Sequence, residues 1–573
     1  MTHPQRELIG YVVGGTLKSG LRVRLTVPPQ QVHEGAFVVT ESGGYLFYGL
    51  VTDIRLGATD QRFADERLGQ RIPGHLAALL QGQTLYADLE ILLALMQESP
   101  PDNPAAYQRW QEEIDLGLRE RPRPRPPKTV PSHQAEVYLA SPGDIEEIFG
   151  KDDDEHFQIG TTREQEHPVR INLKKFVQRS AGIFGATGTG KSFLARILLA
   201  GLIKHNKASV LVFDMHNEYG FDDVASDTGK RVIGLKSKFP ARVRVVALGA
   251  GSTIRGQTPD FHLEIDAHDI EPADILLLTR ELNLKETTPT TLDALVQSFG
   301  RDWFIRFREM RLGAKEEIVD ETTGKVKRVP APDSVEAWAN EVGTNVMAAE
   351  GLHNKLRRLF DKPYIVDHPA SDTVSQIIDA LTSGQHVFLS FGRYESDLDY
   401  LLVTNLLTRR IRQEWEKRTN AYRTQGDQEP RPLVIVVEEA HKLLNREMAS
   451  QTIFSTIARE MRKYYVTLLI IDQRPSQIYD EVMSQLGTRI SGWLGDDDDI
   501  RAVLSGLAGR EQLRGMLSRL QPKEEVLLLG WGVPMPLPVR TVRYNDEFWR
   551  NLLGEAGQTP NTAQAMRNLG FAD

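Results

Sequence analysis

The chain has 573 residues, 40% of them hydrophobic, with a formal net charge of −9; it accommodates several domain-sized units, and its charge gives no global attraction to nucleic acid while leaving a local basic channel open. The absence of cysteine excludes disulfides, thiolate metal centres and cysteine nucleophiles. Met1–Tyr11 lacks the pattern of a signal peptide and no window has the length of a membrane span, so an intracellular, cytoplasmic protein with no membrane partner is expected.

In chain order, Leu8–Val13, Leu21–Val27, Gly35–Thr40 and Tyr45–Ile54 alternate in the manner of strands between Gly, Pro and Ser signals, which predicts a small antiparallel barrel or sandwich. Tyr86–Leu95 reads as another strand and Ala105–Glu120 as a polar helical piece. Arg121–Pro131 is basic and proline-rich, hence extended and exposed; a stiff solvated connector and a nucleic-acid contact are its two readings. Ala135–Ala140 reads as a strand, Ser141–Asp144 opens a short helix to Phe149, and Asp152–Glu155 is a solvated turn.

From Ala181 short apolar strands alternate with amphipathic helices, the pattern of an α/β core with a mostly parallel sheet. The core strands are expected at Gly182–Phe184, Ser209–Asp214, Val243–Leu248, His386–Ser390, Leu433–Val437, Thr467–Ile471 and Thr488–Leu494. A long insertion, about Asp269–Thr382, interrupts them with helical pieces at Pro289–Gln297 and Glu350–Phe360 and a polar loop or hairpin at Ala314–Arg328. Glu524–Val542 returns to strand texture, but its three prolines predict an edge or an excursion and not a central strand. The expected division is a barrel over 1–165 with an excursion at 57–131, a first core part over 166–268, the helical insertion over 269–382, a second core part over 383–545 and a tail over 546–573.

Gly185-Ala186-Thr187-Gly188-Thr189-Gly190-Lys191-Ser192 fits G-x-x-x-x-G-K-[ST] between an apolar strand and a helix-forming run. The glycines let successive N–H groups curl inward and the helix N-terminus favours phosphate. Lys191 is then placed on the β- and γ-phosphates of ATP and the Ser192 hydroxyl on magnesium. A second carboxylate set follows the apolar strand ending at Val437: Glu438 reads as the magnesium-side acid and Glu439 as the base that activates water, with the two roles exchanged as the alternative. Asp214 closes another buried strand and either serves the same magnesium or caps its strand; His216 and Glu218 are further candidates beside it. Gln473, at the end of the Leu468–Ile471 strand, is a candidate γ-phosphate sensor. Arg459, Arg462 and Lys463 lie on one basic helix, which is either a solvated face or the source of an arginine donated to a neighbouring subunit.

These stretches together resemble the HerA family of the HerA/FtsK superfamily. Ile9-Gly10-Tyr11-Val12 is similar to the start of the family's HAS-barrel, and Phe157-Gln158-Ile159-Gly160 with Arg179 to Ser192 to its entry strand and phosphate loop. The family's D-P-H-G-E-Y reads Asp214-Met215-His216-Asn217-Glu218-Tyr219, so two turn positions depart. Its E-E-A-H is intact at Glu438–His441, its A-R-E-G-R-K reads Ala458-Arg459-Glu460-Met461-Arg462-Lys463, and its Q-R-P is intact at Gln473–Pro475.

The resemblance implies an α/β P-loop NTPase core of the RecA/FtsK type with an N-terminal β-barrel and a helical insertion. It implies a homohexamer that uses ATP and Mg2+ to move along double-stranded DNA, working with a NurA-type nuclease or another effector. It also implies an arginine finger, Arg462 or Arg459, with Arg179 as a further candidate for closing the phosphate site. Two other classes remain beside it: a ring ATPase that scaffolds or regulates an effector in anti-phage defence, and a secretion or conjugation-type ATPase.

Overall fold

The computed structural model describes residues 6–59, 85–101, 103–224, 229–319, 326–448, 453–507 and 509–554. Residues 60–84 of the expected excursion, 320–325 of the expected hairpin and 555–573 of the expected tail lie outside them. The chain divides into two compact units: Met1–Leu198 with Asp472–Ser476 and Leu486–Phe548, and Leu199–Ile471 with Gln477–Gln485 and Trp549–Asp573.

The first unit begins with six strands, β1 (Leu8–Thr16), β2 (Gly20–Leu25), β3 (Phe37–Ser42), β4 (Tyr45–Ala58), β5 (Leu85–Glu98) and β6 (Glu136–Leu139), closed in the order β1-β2-β5-β4-β3-β6. Alternate residues face inward and build one apolar core, with Val23, Val51, Leu89 and Val137 fully buried, as the period of two requires. Part of the 57–131 stretch, expected to depart from the barrel, instead supplies β5, which pairs β2 on one side and β4 on the other. Its alternation Leu89, Ile91, Leu93 supplies the inward face, with half-buried Glu90 and Leu92 between them. The helix Pro142–Phe149 follows with a Ser141/Asp144 capping box, and Arg6 reaches the same Asp144 carboxylate through Nε at 3.1 Å and Nη2 at 2.6 Å.

The same unit continues with β7 (His156–Thr162), β8 (Pro168–Asn172) and β9 (Ala181–Phe184). The second unit holds β10 (Ser209–Asp214), β11 (Val243–Leu248), β12 (Phe261–Leu263), β13 (His386–Ser390), β14 (Leu433–Glu438) and β15 (Val466–Asp472), the last residue of which belongs to the first. These run β12-β11-β13-β10-β14-β15, every neighbouring pair parallel. β10, β13, β14 and β15 are buried along their whole length, which is why they read as uninterrupted apolar runs.

Returning to the first unit, β16 (Thr488–Ser491) is parallel to β9, whereas β17 (Glu525–Gly530), β18 (Leu537–Thr541), β7 and β8 continue from it in antiparallel pairs. The core is therefore mixed in direction. β16 ends at Ser491, three residues before the expected Leu494.

The expectation of an edge at the proline-rich tail is corrected, because β18 lies between β17 and β7. Pro538 is the proline inside it; pairing with β7 is made by Val539, Arg540 and Thr541 alone, so its missing N–H falls outside that ladder. A partly buried bidentate pair, Arg163 Nε to Glu525 Oε1 at 2.9 Å and Nη2 to Oε2 at 2.5 Å, joins the residue after β7 to the first of β17.

Between β12 and β13 the helices Thr288–Phe299, Trp303–Glu309, Val335–Glu341 and Val346–Phe360 pack on an aromatic cluster of Trp303, Phe304, Phe307, Trp338 and Phe360. The polar stretch in this region is an exposed antiparallel pair, Lys315–Val319 with Val326–Pro330. No helix among the described residues is long and apolar enough to cross a membrane.

Candidate nucleotide site

β9 is buried throughout and hands the chain to the loop 185–190, after which α1 (Lys191–His205) begins. Gly185, Gly188 and Gly190 all take positive φ, 154°, 77° and 92°, so this turn is built from conformations that side chains oppose. At Gly185 a Cβ would also sit 2.5 Å from Thr189 Oγ1. Thr189 donates its hydroxyl to Ala186 O at 2.7 Å, which braces the loop from within. Lys191 Nζ donates to the carbonyls of Gly185 at 2.8 Å and Ala186 at 3.0 Å, laying the ammonium along the loop's rim. Ser192 is the second residue of α1, where the helix N-terminus concentrates positive potential.

Two neighbours complete this end of the first unit. Thr187 Oγ1 donates to Gln473 Oε1 at 2.7 Å, so the structure brings the expected sensor to the phosphate loop. Lys523, which carries no motif, takes a left-handed φ of 68° and donates its backbone N–H to Thr189 O at 3.2 Å. Arg179 precedes the start of β9, and its guanidinium stacks on the Trp531 ring at 4.2 Å.

In the second unit the carboxylates gather at the C-terminal ends of parallel β10 and β14. Asp214 Oδ1 accepts the Glu218 N–H at 2.7 Å and Oδ2 the Tyr219 N–H at 3.0 Å, the geometry of a residue that caps its own strand-to-turn passage. Asn217 adopts φ 56°, a left-handed conformation that asparagine tolerates nearly as glycine does, and its side chain accepts the Ser390 hydroxyl. The two departures from the family's turn sequence thus leave a closed, hydrogen-bonded turn.

Glu438 is 6% exposed. Tyr219 donates its hydroxyl to Oε1 at 2.6 Å, while Oε2 is buried without a hydrogen-bond partner among the described residues. Burial first, then the nearby Asp214 carboxylate, pushes the Glu438 carboxyl well above its usual range. Asp214 is also raised, chiefly by burial and against the pull of its backbone donors.

Glu439 differs from its neighbour. It is more exposed, takes φ 47°, and its carboxylate lies 3.5 Å from Nδ1 of His441. A residue in this conformation at the end of a strand turns its side chain out of the sheet, leaving a carboxylate within reach of solvent. His216 is exposed, its carbonyl receiving Arg255 Nη2 at 3.3 Å.

The basic helix ends at Glu460 and continues as a 3-10 turn, Met461–Tyr464. Arg459 Nη1 is held by Glu481 Oε1 at 3.2 Å. Arg462 is exposed and its guanidinium has no ion pair among the described residues.

A glycine-built anion loop that feeds a helix, with its lysine on the rim, is the working part of the P-loop ATPases, and the protein is an ATP-hydrolysing member of that class. Residues 157–411 match the family described as "Helicase HerA, central domain". The chain is 24% identical over 574 residues to the DNA double-strand break repair helicase HerA of Saccharolobus solfataricus, covering 96% of this chain and 94% of that protein. It is 22% identical to the protein of the same name from Pyrococcus furiosus, covering 75% and 76% respectively. Among solved structures, VirB4 of Thermoanaerobacter pseudethanolicus overlaps 69% of this chain and 98% of its own at 14% identity and a TM-score of 0.40.

Proposed function

We propose that the protein is an ATP-driven translocase of double-stranded DNA that acts as a homohexameric ring with a NurA-type nuclease in the resection of DNA ends. The observation that carries this reading is the end-to-end similarity to the HerA protein of Saccharolobus solfataricus, which spans the barrel as well as the ATPase segments.

In this reading Lys191 neutralises charge on the β- and γ-phosphates of ATP, and the inward N–H groups of 185–190 hold them. The donor chemistry of each unit suits magnesium: in the first the Ser192 hydroxyl stands at the start of α1, and in the second Glu438 offers a buried oxygen with no hydrogen-bond partner among the described residues. When bound, the ion would neutralise developing phosphate charge. Asp214 keeps the turn after β10 in place, which favours the cap role of the two left open by the sequence. Glu439, solvent-reachable, takes the proton from the attacking water. Arg462, whose fork has no ion pair among the described residues, is the residue donated to a neighbouring protomer, and Gln473 reports on the γ-phosphate. Contacts to DNA are directed at phosphates and carry no sequence preference.

The test is ATP hydrolysis by the purified chain with and without linear duplex DNA at two salt concentrations. DNA stimulation that is strong at low salt and fades as salt rises supports the reading, and hydrolysis indifferent to DNA at low salt removes it.

A further inference from the structure

Tyr219 lies at the end of a turn that is fixed from several directions. Both oxygens of Asp214 hold backbone N–H groups of that turn, one of them its own, and Ser390 holds Asn217 beside it. The Tyr219 ring is fully buried. Its hydroxyl, carried out by a rigid side chain from a fixed backbone, donates to Glu438 Oε1 at 2.6 Å. A second tyrosine, Tyr400, donates its hydroxyl to the Glu438 backbone carbonyl at 3.1 Å. Glu438 is thereby tied at the main chain and at one carboxylate oxygen, while the other oxygen, Oε2, is buried with no hydrogen-bond partner among the described residues.

A carboxylate with one oxygen held and one left over has a defined plane and a defined lone-pair direction. Leaving a buried acceptor unpaired is costly, and native proteins retain such atoms where they have a use. The turn after β10 is also the segment whose sequence departs from the related motif, yet the hydroxyl arrives within hydrogen-bond distance.

We propose that Tyr219 is a positioning residue for magnesium–nucleotide binding: its hydroxyl sets the Glu438 carboxylate so that Oε2 faces the cation. This inference rests on the reading of Glu438 as the magnesium-side carboxylate. Tyr219 itself touches neither nucleotide nor ion; it acts by removing the rotational freedom of the group that does, as the supporting hydrogen bonds of metal ligands do elsewhere.

The experiment is the affinity of the full-length protein for a fluorescent ATP analogue, measured with excess EDTA and with saturating Mg2+. The ratio of the two is the magnesium-dependent gain in binding, a readout independent of turnover. Tyr219→Phe keeps the ring and removes the donor, and Tyr219→Met is a second hydroxyl-free side chain in case one variant fails to fold. The expected result is an unchanged affinity in EDTA, with the magnesium-dependent gain reduced at least about tenfold, the scale of one hydrogen bond to a charged group. Equal loss of affinity with and without magnesium would mean a merely structural tyrosine and would overturn the proposal. Glu438→Gln separates the two levels of argument. If Glu438→Gln loses the gain while both Tyr219 variants keep it, the positioning role is overturned and the role of Glu438 stands. If Glu438→Gln also keeps it, the reading of Glu438 fails and the proposal with it.

Discussion

Thr187 donates its hydroxyl to Oε1 of Gln473 across 2.7 Å. Residues 286 positions apart thus share one hydrogen bond at the crest of the phosphate loop, and movement of either is felt by the other. Gln473→Ala is expected to lower the maximal rate of ATP hydrolysis at least about tenfold, and Thr187→Val by up to about tenfold, since a neutral hydrogen bond contributes roughly 0.5–1.5 kcal/mol. The double variant should be no slower than Gln473→Ala alone. Phosphate release at saturating ATP measures all three.

Lys191 and Glu439 should separate binding from chemistry. Lys191→Ala removes charged hydrogen bonds to phosphate and should weaken nucleotide affinity by roughly 10- to 100-fold. Glu439→Gln should leave affinity intact and lower the hydrolysis rate by about 10²–10⁴-fold, the usual contribution of a positioned base. Equilibrium titration with a fluorescent nucleotide beside steady-state hydrolysis distinguishes them.

The two arginines of the basic segment make opposite predictions. Arg462→Ala should reduce hydrolysis by about 10³–10⁵-fold, the scale of a trans-acting arginine, without changing the melting temperature. Arg459→Ala breaks an exposed pair with Glu481 and should cost at most about 1 kcal/mol of stability. Mixing Arg462→Ala with Glu439→Gln protein should restore some activity if the arginine works across a protomer boundary, because interfaces then form with both groups present.

His386, the first residue of β13, is buried, and neither ring nitrogen is hydrogen-bonded among the described residues. Burial first, then the charges of Arg431 and Arg242, push its imidazole down to about 3 from 6.5. The unfolded chain takes up this proton below about pH 6.5 and the folded chain does not until about pH 3. Its contribution to stability is therefore complete above pH 6.5 and is lost as the pH falls towards 3, at up to about 1.4 kcal/mol per pH unit. Urea midpoints at pH 7.5 and 5 should differ less for His386→Leu than for the native chain.

The phosphate loop was legible because its signals are local: glycines for the turn, an apolar strand before it, a helix start after it. The strands of the second unit were legible for a related reason, since burial on both faces writes a continuous apolar run. β5 was legible as a strand, Tyr86–Leu95, but its place in the barrel was not, because a long stretch of other character separates it from its partner β4. β18 was misread because proline content reports a missing donor without saying on which side the donor was needed.

Tertiary relations stayed hidden. Nothing near Tyr219 states that its hydroxyl meets a carboxylate 219 positions later, and Lys523 approaches the loop through a backbone N–H that any residue but proline possesses. One signal was available and unused: asparagine at position 217 is the residue best able to stand in for glycine with a left-handed backbone.

The closed barrel has a consequence for recognition. A sheet whose last strand pairs with its first exposes no row of unpaired amides and carbonyls, so a visiting protein cannot attach by extending it. Whatever binds there has to read side chains and loop shapes, features that drift freely while the hydrogen-bonded wall behind them stays the same. One scaffold can in this way change clients over evolutionary time by altering its paint and leaving its masonry alone.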